Sequence, residues 1–348
     1  VKLIIFKEYL TSNPFHNLIA ENIRQFMGDE CLIWDSSYQK NYEYFTKTKD
    51  SRMYEAILDY CQENNVEYLH IAFLTNPELF LAELDYRDGY REIRTKISFA
   101  MDWRLVEISR SRQFVVSQIL KRPYIDKMFI HSSLGGESQY MGDIETDFFL
   151  NCSKIVKYYN PIYVSDIKPL SRNRTTDKFV FLFFGAMYYG KGIDILCQAM
   201  KLVDRDILLR IVSGEDRFNF EMDKSLLEQP NIIWEKRNIE NSEMSEIFAD
   251  CDAFVLPYRL TYFNCASSVL VQACQAHKPV IMPKITPFKE VMVDFNIGCS
   301  FRVEDIFDLA DSMNMMKHLV HGGYRFTGFD DYISRHQTWE QYVKKILE

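Results

Sequence analysis

Residues 179–200 read FVFLFFGAMYYGKGIDILCQAM. Phe179 to Phe184 is apolar at every position, as expected of a strand buried on both faces. Gly185 and Gly190 bound a turn that carries Lys191, and from Ile193 onward apolar residues recur at helical spacing. A strand running into a glycine turn at a helix N-terminus offers free backbone N–H groups to an anion, and Lys191 adds positive charge there. The same letters also fit an ordinary strand-to-helix turn, in which the glycines only permit the backbone angles.

A second strand-to-helix unit spans residues 251–283, CDAFVLPYRLTYFNCASSVLVQACQAHKPVIMP. Phe254 to Leu256 reads as a short buried strand stopped by Pro257, followed by a polar-aromatic loop from Tyr258 to Asn264. Ala266 to Gln275 reads as a helix, and Lys278-Pro279 turns the chain into a strand over Val280 to Met282. Together the two segments resemble the donor-binding half of GT-B glycosyltransferases, specifically the large retaining group numbered family four. The resemblance implies an α/β GT-B fold of two Rossmann-like domains facing across a cleft, and a nucleotide diphosphate sugar, UDP- or GDP-linked, as donor.

In that family the first turn reads Gly-Arg, four residues, Lys-Gly, with the Arg and Lys gripping the diphosphate. Gly185, Lys191 and Gly192 match, while Ala186 takes the arginine place and Arg259 is a candidate substitute. The second signature, Glu and Glu separated by seven residues, corresponds to Asn264 and Gln272. An amide keeps hydrogen-bonding reach and loses charge, so Gln272 can still meet ribose hydroxyls whereas Asn264 cannot stabilise charge. Gln272 also reads as a polar residue on a helix face. Cys265, Ala266 and Ser267 complete the loop that the resemblance places at the donor sugar, and Glu290 either touches the donor or caps its own helix. The base would sit around Lys236 to Ile239.

The chain has 348 residues, enough for two cores, with 47% hydrophobic and 15% aromatic residues. A formal net charge of -8 argues against a general nucleic-acid binder, which needs a basic stripe. No apolar run approaches a membrane span and no secretory pattern opens the sequence, so a cytoplasmic protein is expected. The 8 cysteines are scattered without a Cys-x-x-Cys pair, and we expect them reduced, with no metal site and no cofactor beyond the donor substrate. The Asp204-Arg205-Asp206 triplet reads as a turn between a helix and a strand rather than a manganese site.

The first half alternates strands and helices. Expected strands cover Lys2 to Phe6, Cys31 to Trp34, Tyr68 to Phe73, Lys96 to Phe99 and Met128 to His131. Expected helices cover Pro14 to Phe26, Met53 to Cys61, Glu78 to Leu84, Leu105 to Leu120 and Gly136 to Met141. Loops after the strands place Asn13, His16, Asp102 and His131 where an acceptor would bind. Asp102 is either the base that orients or deprotonates the acceptor or an N-cap, and His16 and His131 are either acceptor contacts or structural residues. From Arg104 to Arg122 a basic amphipathic helix either packs on the core with a solvated face or adheres to anionic lipid carrying the acceptor.

The domains expected are residues 1–164, a linker at 165–177, a donor domain at 178–328, and a helix at 329–348 crossing back to the first domain. Within the donor domain further helices are expected over Ile193 to Val203, Phe220 to Leu227 and Ser242 to Ala249, and a single closing helix from Tyr332 to Glu348. Lys191 at the leaving diphosphate, with Asp102 and His16 opposite the acceptor, forms the expected catalytic set. Two other classes stay open: a GT-B pseudo-enzyme or accessory subunit, given the altered motif residues, and a two-domain small-molecule binding protein.

Overall fold

The computed structural model describes residues 2–6, 14–34, 53–89, 92–101, 109–130, 148–149, 151–157, 167–170, 176–214, 222–263, 265, 267–336 and 338–348. The chain divides into two compact units, Val1–Pro161 with Gln337–Glu348, and Ile162–His336.

The first unit holds β1 (Leu3–Phe6), α1 (Pro14–Met27), β2 (Cys31–Trp34), α2 (Met53–Glu63), β3 (Tyr68–Ile71), α3 (Pro77–Asp88), β4 (Lys96–Met101), α4 (Arg110–Leu120), β5 (Ile125–Ile130) and β6 (Ile155–Lys157). Its strands form one six-stranded parallel sheet in the order β2-β1-β3-β4-β5-β6. Leu3, Ile4, Ile5 and Phe6 are all fully buried, because helices cover both faces of a parallel sheet and leave no polar side to alternate with.

The second unit holds β7 (Phe179–Phe184), α5 (Ile193–Ala199), β8 (Ile207–Ser213), β9 (Ile232–Lys236), α6 (Met244–Ala249), β10 (Ala253–Val255), α7 (Ser268–Gln275), β11 (Val280–Pro283), α8 (Phe288–Asp294), β12 (Gly298–Phe301), α9 (Ile306–His321) and α10 (Phe329–Arg335). Its parallel sheet runs β12-β11-β10-β7-β8-β9, so the strand order reverses between β7 and β10. Along β7 the side chains split by parity: Phe179, Phe181 and Phe183 join one core, while Val180 and Leu182 join the other. Each such buried side chain contributes roughly 1.5–3 kcal/mol.

The structure moves several expected boundaries. Residues 167–170 and 329–335 belong to the second unit, where Ile167, Phe329 and Tyr332 are core residues. The single closing helix is two: α10 ends at His336, whose backbone is extended, and α11 (Trp339–Leu347) starts afresh. Thr338 caps that start, its Oγ1 accepting from Gln341 N while the Gln341 side chain accepts from Thr338 N. Trp339, Tyr342, Val343 and Ile346 form the buried stripe of α11 and pack with Leu3, Ile5, Ala20, Ala72, Ala100 and Phe129 of the first unit.

The helix expected over Phe220 to Leu227 is a short 3-10 turn at Lys224–Glu228, and the part from Phe220 to Glu221 lies outside the described residues. The first donor-domain helix stops at Ala199 rather than Val203. The helix expected over Gly136 to Met141 also lies outside the described residues. The strand β12 and the long helix α9 have no counterpart in the sequence reading. Gly298 opens β12 because a Cβ there would stand 1.8 Å from Val280 O on β11.

The Asp204-Arg205-Asp206 turn is anchored from α9. Lys317, buried, donates to Asp204 at 2.6 Å and Asp206 at 2.8 Å, and Asn314 Oδ1 accepts from Asp204 N at 3.0 Å. In the basic helix, residues 104–108 lie outside the described residues, and α4 begins at Arg110 with Ser109 as its cap. Its apolar side, Val116, Ile119 and Leu120, enters the core, and its cations turn to α3: Arg112 pairs with Glu78 at 3.1 Å, and Arg122 pairs with Asp85 and Asp88. Arg110, Phe114 and Lys121 stay exposed.

Tyr342 on α11 reaches through the core to His70 on β3, with Oη 3.1 Å from Nε2, while His70 Nδ1 lies 2.8 Å from Ser98 Oγ on β4. Burial pulls the His70 imidazole down to about 3, so it stays neutral in the folded chain. An unfolded His takes its proton near 6.5, so the unfolded state binds more protons below that pH and stability falls as pH drops. Between pH 6.5 and 4 the His70 contribution should approach about 1.4 kcal/mol per pH unit, measured as the difference between the parent and His70→Gln in the slope of unfolding free energy against pH. Equal slopes would mean that His70 protonates without disturbing the core.

Gly192 sits at φ +62, and a Cβ there would meet Pro257 O at 1.9 Å. Gly323 has φ +82 with open space around it. Gly192→Ala should therefore cost about 2–4 kcal/mol, against roughly 1 for Gly323→Ala, read from unfolding midpoints. A matching cost at both positions would remove the close approach as the reason for glycine.

Candidate functional site

In a doubly wound sheet the carboxyl ends of the two strands at the order reversal diverge and leave a crevice between their loops. In the second unit those strands are β7 and β10. Gly185 leaves β7 at φ +102, a value that favours glycine, with its N–H bonded to Val212 O at 3.0 Å. Ala186 is exposed, and residues Tyr189–Lys191 form a 3-10 turn that ends at Gly192. The loop after β10 is clipped to this turn by Arg259 N donating to Gly190 O at 3.0 Å and by the Gly192 approach to Pro257.

Lys191 is buried, at 8% exposure, in a setting the sequence reading missed. Its Nζ lies 3.9 Å from the Tyr258 ring centre, 4.5 Å from that of Tyr262 and 5.8 Å from that of Tyr188. It donates to Tyr262 Oη at 3.1 Å, and among the described residues no carboxylate pairs with it. Ring faces attract a cation but replace water's solvation only in part, and burial pulls the ammonium down to about 7. The signal available in the sequence was the four-residue spacing of Tyr258 and Tyr262 in LPYRLTY, directly after the switch-point strand.

Arg259, the candidate substitute for the missing arginine, is committed elsewhere. Its guanidinium pairs with Asp194 at 2.6 Å and Glu304 at 3.2 Å and lies 4.2 Å from the Tyr189 ring centre. The turn therefore carries Lys191 as its one lysine or arginine not held by a carboxylate among the described residues of 185–192 and 257–263.

Ser267 caps α7, its Oγ accepting from Leu270 N at 3.3 Å, and the same oxygen lies 3.0 Å from Tyr258 Oη. A Cβ on Gly185 would stand 3.8 Å from Val269, so contacts run from Lys191 through Tyr258 and Ser267 to the α7 start and back to Gly185. Gln272, one turn further along α7, is half-buried and directs its Nε2 to Met244 Sδ at 3.8 Å, a weak acceptor.

Met244 in turn lines a cavity of 380 Å³ together with Gly185, Ala186, Gly214, Arg237, Asn238 and Ile239. Neither Lys191 nor Gln272 lines it directly, and Gln272 reaches its edge through Met244. Cys265 is half-buried, and Glu290 stands half-buried in the first turn of α8. Asn264 and Ala266 lie outside the described residues.

In the first unit Asn13, Asp102 and His131 also lie outside the described residues, and only the backbone of His16, in α1, is described. Among the described residues no group of three or more His, Cys, Asp or Glu side chains could hold a metal ion. No helix among them is long and apolar enough to cross a membrane.

Comparison with known proteins places this geometry. Residues 166–319 match the family described as Glycosyl transferases group 1. No curated protein sequence matches the chain. Among solved structures, a sucrose-phosphate synthase from Thermosynechococcus elongatus is similar at a TM-score of 0.70 and 13% identity, covering 99% of this chain and 97% of that one. Anabaena HepE, solved in complex with UDP and glucose, gives a TM-score of 0.68 at 13% identity, covering 100% of this chain and 98% of that one. The lipopolysaccharide outer core galactosyltransferase WaaB, in its apo form, gives 0.69 at 12% identity, covering 100% and 99%. The chain thus has the two-domain α/β fold of GT-B glycosyltransferases, and its second unit carries the match to glycosyl transferases group 1.

Proposed function

We propose that the chain is a glycosyltransferase moving a sugar from a UDP- or GDP-linked donor to a carbohydrate or lipid-linked acceptor, with retention of configuration. The observation that carries this reading is Lys191, a buried ammonium at the switch point with no carboxylate partner among the described residues, inside the span that matches glycosyl transferases group 1. Such a group gains most from an anion that arrives with the ligand.

Breaking the bond between sugar C1 and the diphosphate leaves negative charge on the departing oxygen. A preformed cation in a dry setting stabilises that charge more in the transition state than in the ground state. Lys191 supplies it, so the reaction needs no metal on this reading. The acceptor hydroxyl forms the new bond to C1, and its proton passes to a base, the role we assign to Asp102, with Asn13, His16 and His131 as acceptor contacts. The 380 Å³ cavity beside Arg237, Asn238 and Ile239 would take the base, Gln272 the ribose, and Gly185, Ala186, Cys265, Ser267 and Glu290 the remainder of the donor. HepE, a structural neighbour, was solved with UDP and glucose, which supports a donor of this class. The place of action would be the cytoplasm, in polysaccharide synthesis. Contact with an anionic membrane would fall to Arg110 and Lys121, since Arg112 and Arg122 are paired with α3.

A second reading, a donor-binding subunit without turnover, is favoured by Ala186 and by the amides Asn264 and Gln272, which leave the motifs without one cation and both carboxylates. A thermal-shift panel of UDP, GDP, ADP and their sugars tests the first step. One nucleotide class should stabilise the parent by about 2.7 kcal/mol at a hundredfold excess over Kd. Lys191→Ala should lose most of that shift and Gln272→Ala part of it. Variants that respond like the parent would overturn the site. Donor binding without hydrolysis or transfer to any acceptor would select the second reading.

A further inference from the structure

We propose that Tyr262 is the positioning residue of Lys191: its hydroxyl oxygen holds the amine inside the tyrosine cage, at the point where a donor diphosphate is met. The inference rests on the reading of this turn as a diphosphate site, and it assigns a role to a side chain outside the altered motif positions.

A lysine has four rotatable carbons and ordinarily places its ammonium in water. Here the stem is buried and the ring faces of Tyr188, Tyr258 and Tyr262 surround the nitrogen. Ring faces attract a cation without fixing its direction. The directional contact is the 3.1 Å hydrogen bond to Tyr262 Oη, which favours the charged amine over the neutral one. The groups facing Lys191 are Tyr188 from the β7 turn, Tyr258 from the β10 loop, Tyr262 from the 3-10 turn at Leu260–Tyr262, and Cys265 just beyond it. From α7 the cage receives Ser267 through Tyr258. Burial holds the Tyr258 and Tyr262 phenols far above the usual range, so both stay neutral at any working pH. Arg259, Asp194 and Glu304 form a separate paired group alongside. Lys191, pulled down to about 7 by burial, changes charge near neutrality, and above that pH a diphosphate that meets the ammonium must be accompanied by a proton. Donor affinity should fall as pH rises through neutrality.

Tyr262→Phe separates the hydroxyl from the ring. In ligand-free protein the Lys191 side chain, assigned with Lys191→Arg, can be titrated by NMR. Its midpoint should lie near neutral pH in the parent and about one to two pH units lower in Tyr262→Phe. Tyr258→Phe, which keeps the Tyr262 contact, should leave it in place. With UDP-glucose and GDP-glucose as probes, Tyr262→Phe should weaken the bound donor about tenfold at pH 8 and much less at pH 6. A residue that only supports the fold would lower affinity equally at both. An unchanged Lys191 midpoint in Tyr262→Phe overturns the proposal. If neither probe binds the parent, the diphosphate reading fails, and the proposal, which places the amine where a diphosphate is met, falls with it even if the NMR midpoint moves.

Discussion

The second unit is organised by the close approach of two backbone segments at the strand-order reversal. Gly192 lies against Pro257 so tightly that no side chain fits, and Arg259 N closes the contact by donating to Gly190 O. Without that approach the turn after β7 and the loop after β10 would be separate surface loops. With it, Tyr188, from one segment, and Tyr258 and Tyr262, from the other, close around one amine. Burial of Lys191, its lowered proton affinity and its dependence on Tyr262 all descend from this backbone contact.

Charge in the site is arranged in two groups that do not mix. Arg259 pairs with both Asp194 and Glu304 beside the Tyr189 ring, so its positive charge is already engaged within the protein. Lys191 receives only dipoles and ring faces from the described residues around it. An ion pair satisfied within the protein contributes to shape; an ammonium satisfied only by neutral groups keeps its electrostatic demand for an incoming anion. A chain whose motif carries Ala186 instead of arginine concentrates that demand on one residue.

Much of this fold is visible in the letters. The all-apolar β1 and β7 runs announce buried strands, and the strand, proline and helix order of 251–283 announces β10, α7 and β11 to within one or two residues. What escaped the sequence has physical causes. β12 is short, opens with glycine and includes a serine, so it lacks an apolar run, and α9 carries Asp, Ser, Asn and Lys within its length, which blurs its periodicity. The tail reads as one helix because His336 and its neighbours are compatible with one; the break comes from Phe329 and Tyr332 packing into the second core while Trp339 and Tyr342 pack into the first. The motif lysine was legible as a cation, but its cage required tertiary proximity between residues separated by some seventy positions, as in the bond to Tyr262 with a sequence separation of 71.

The placement of α11 also fixes an order of events. Its stripe of Trp339, Tyr342, Val343 and Ile346 fills one side of a sheet whose first strand is Leu3–Phe6, with the whole second unit encoded between them. A sheet layer built from such distant segments closes only after the intervening domain has been translated, at a high cost in loop closure if that domain is still unfolded. The second unit, contiguous in sequence, can condense first and shorten the effective separation. During synthesis the amino-terminal sheet would therefore wait, with one apolar face covered in part by Ala20 and Ile23 of α1, until residues 338–347 leave the ribosome.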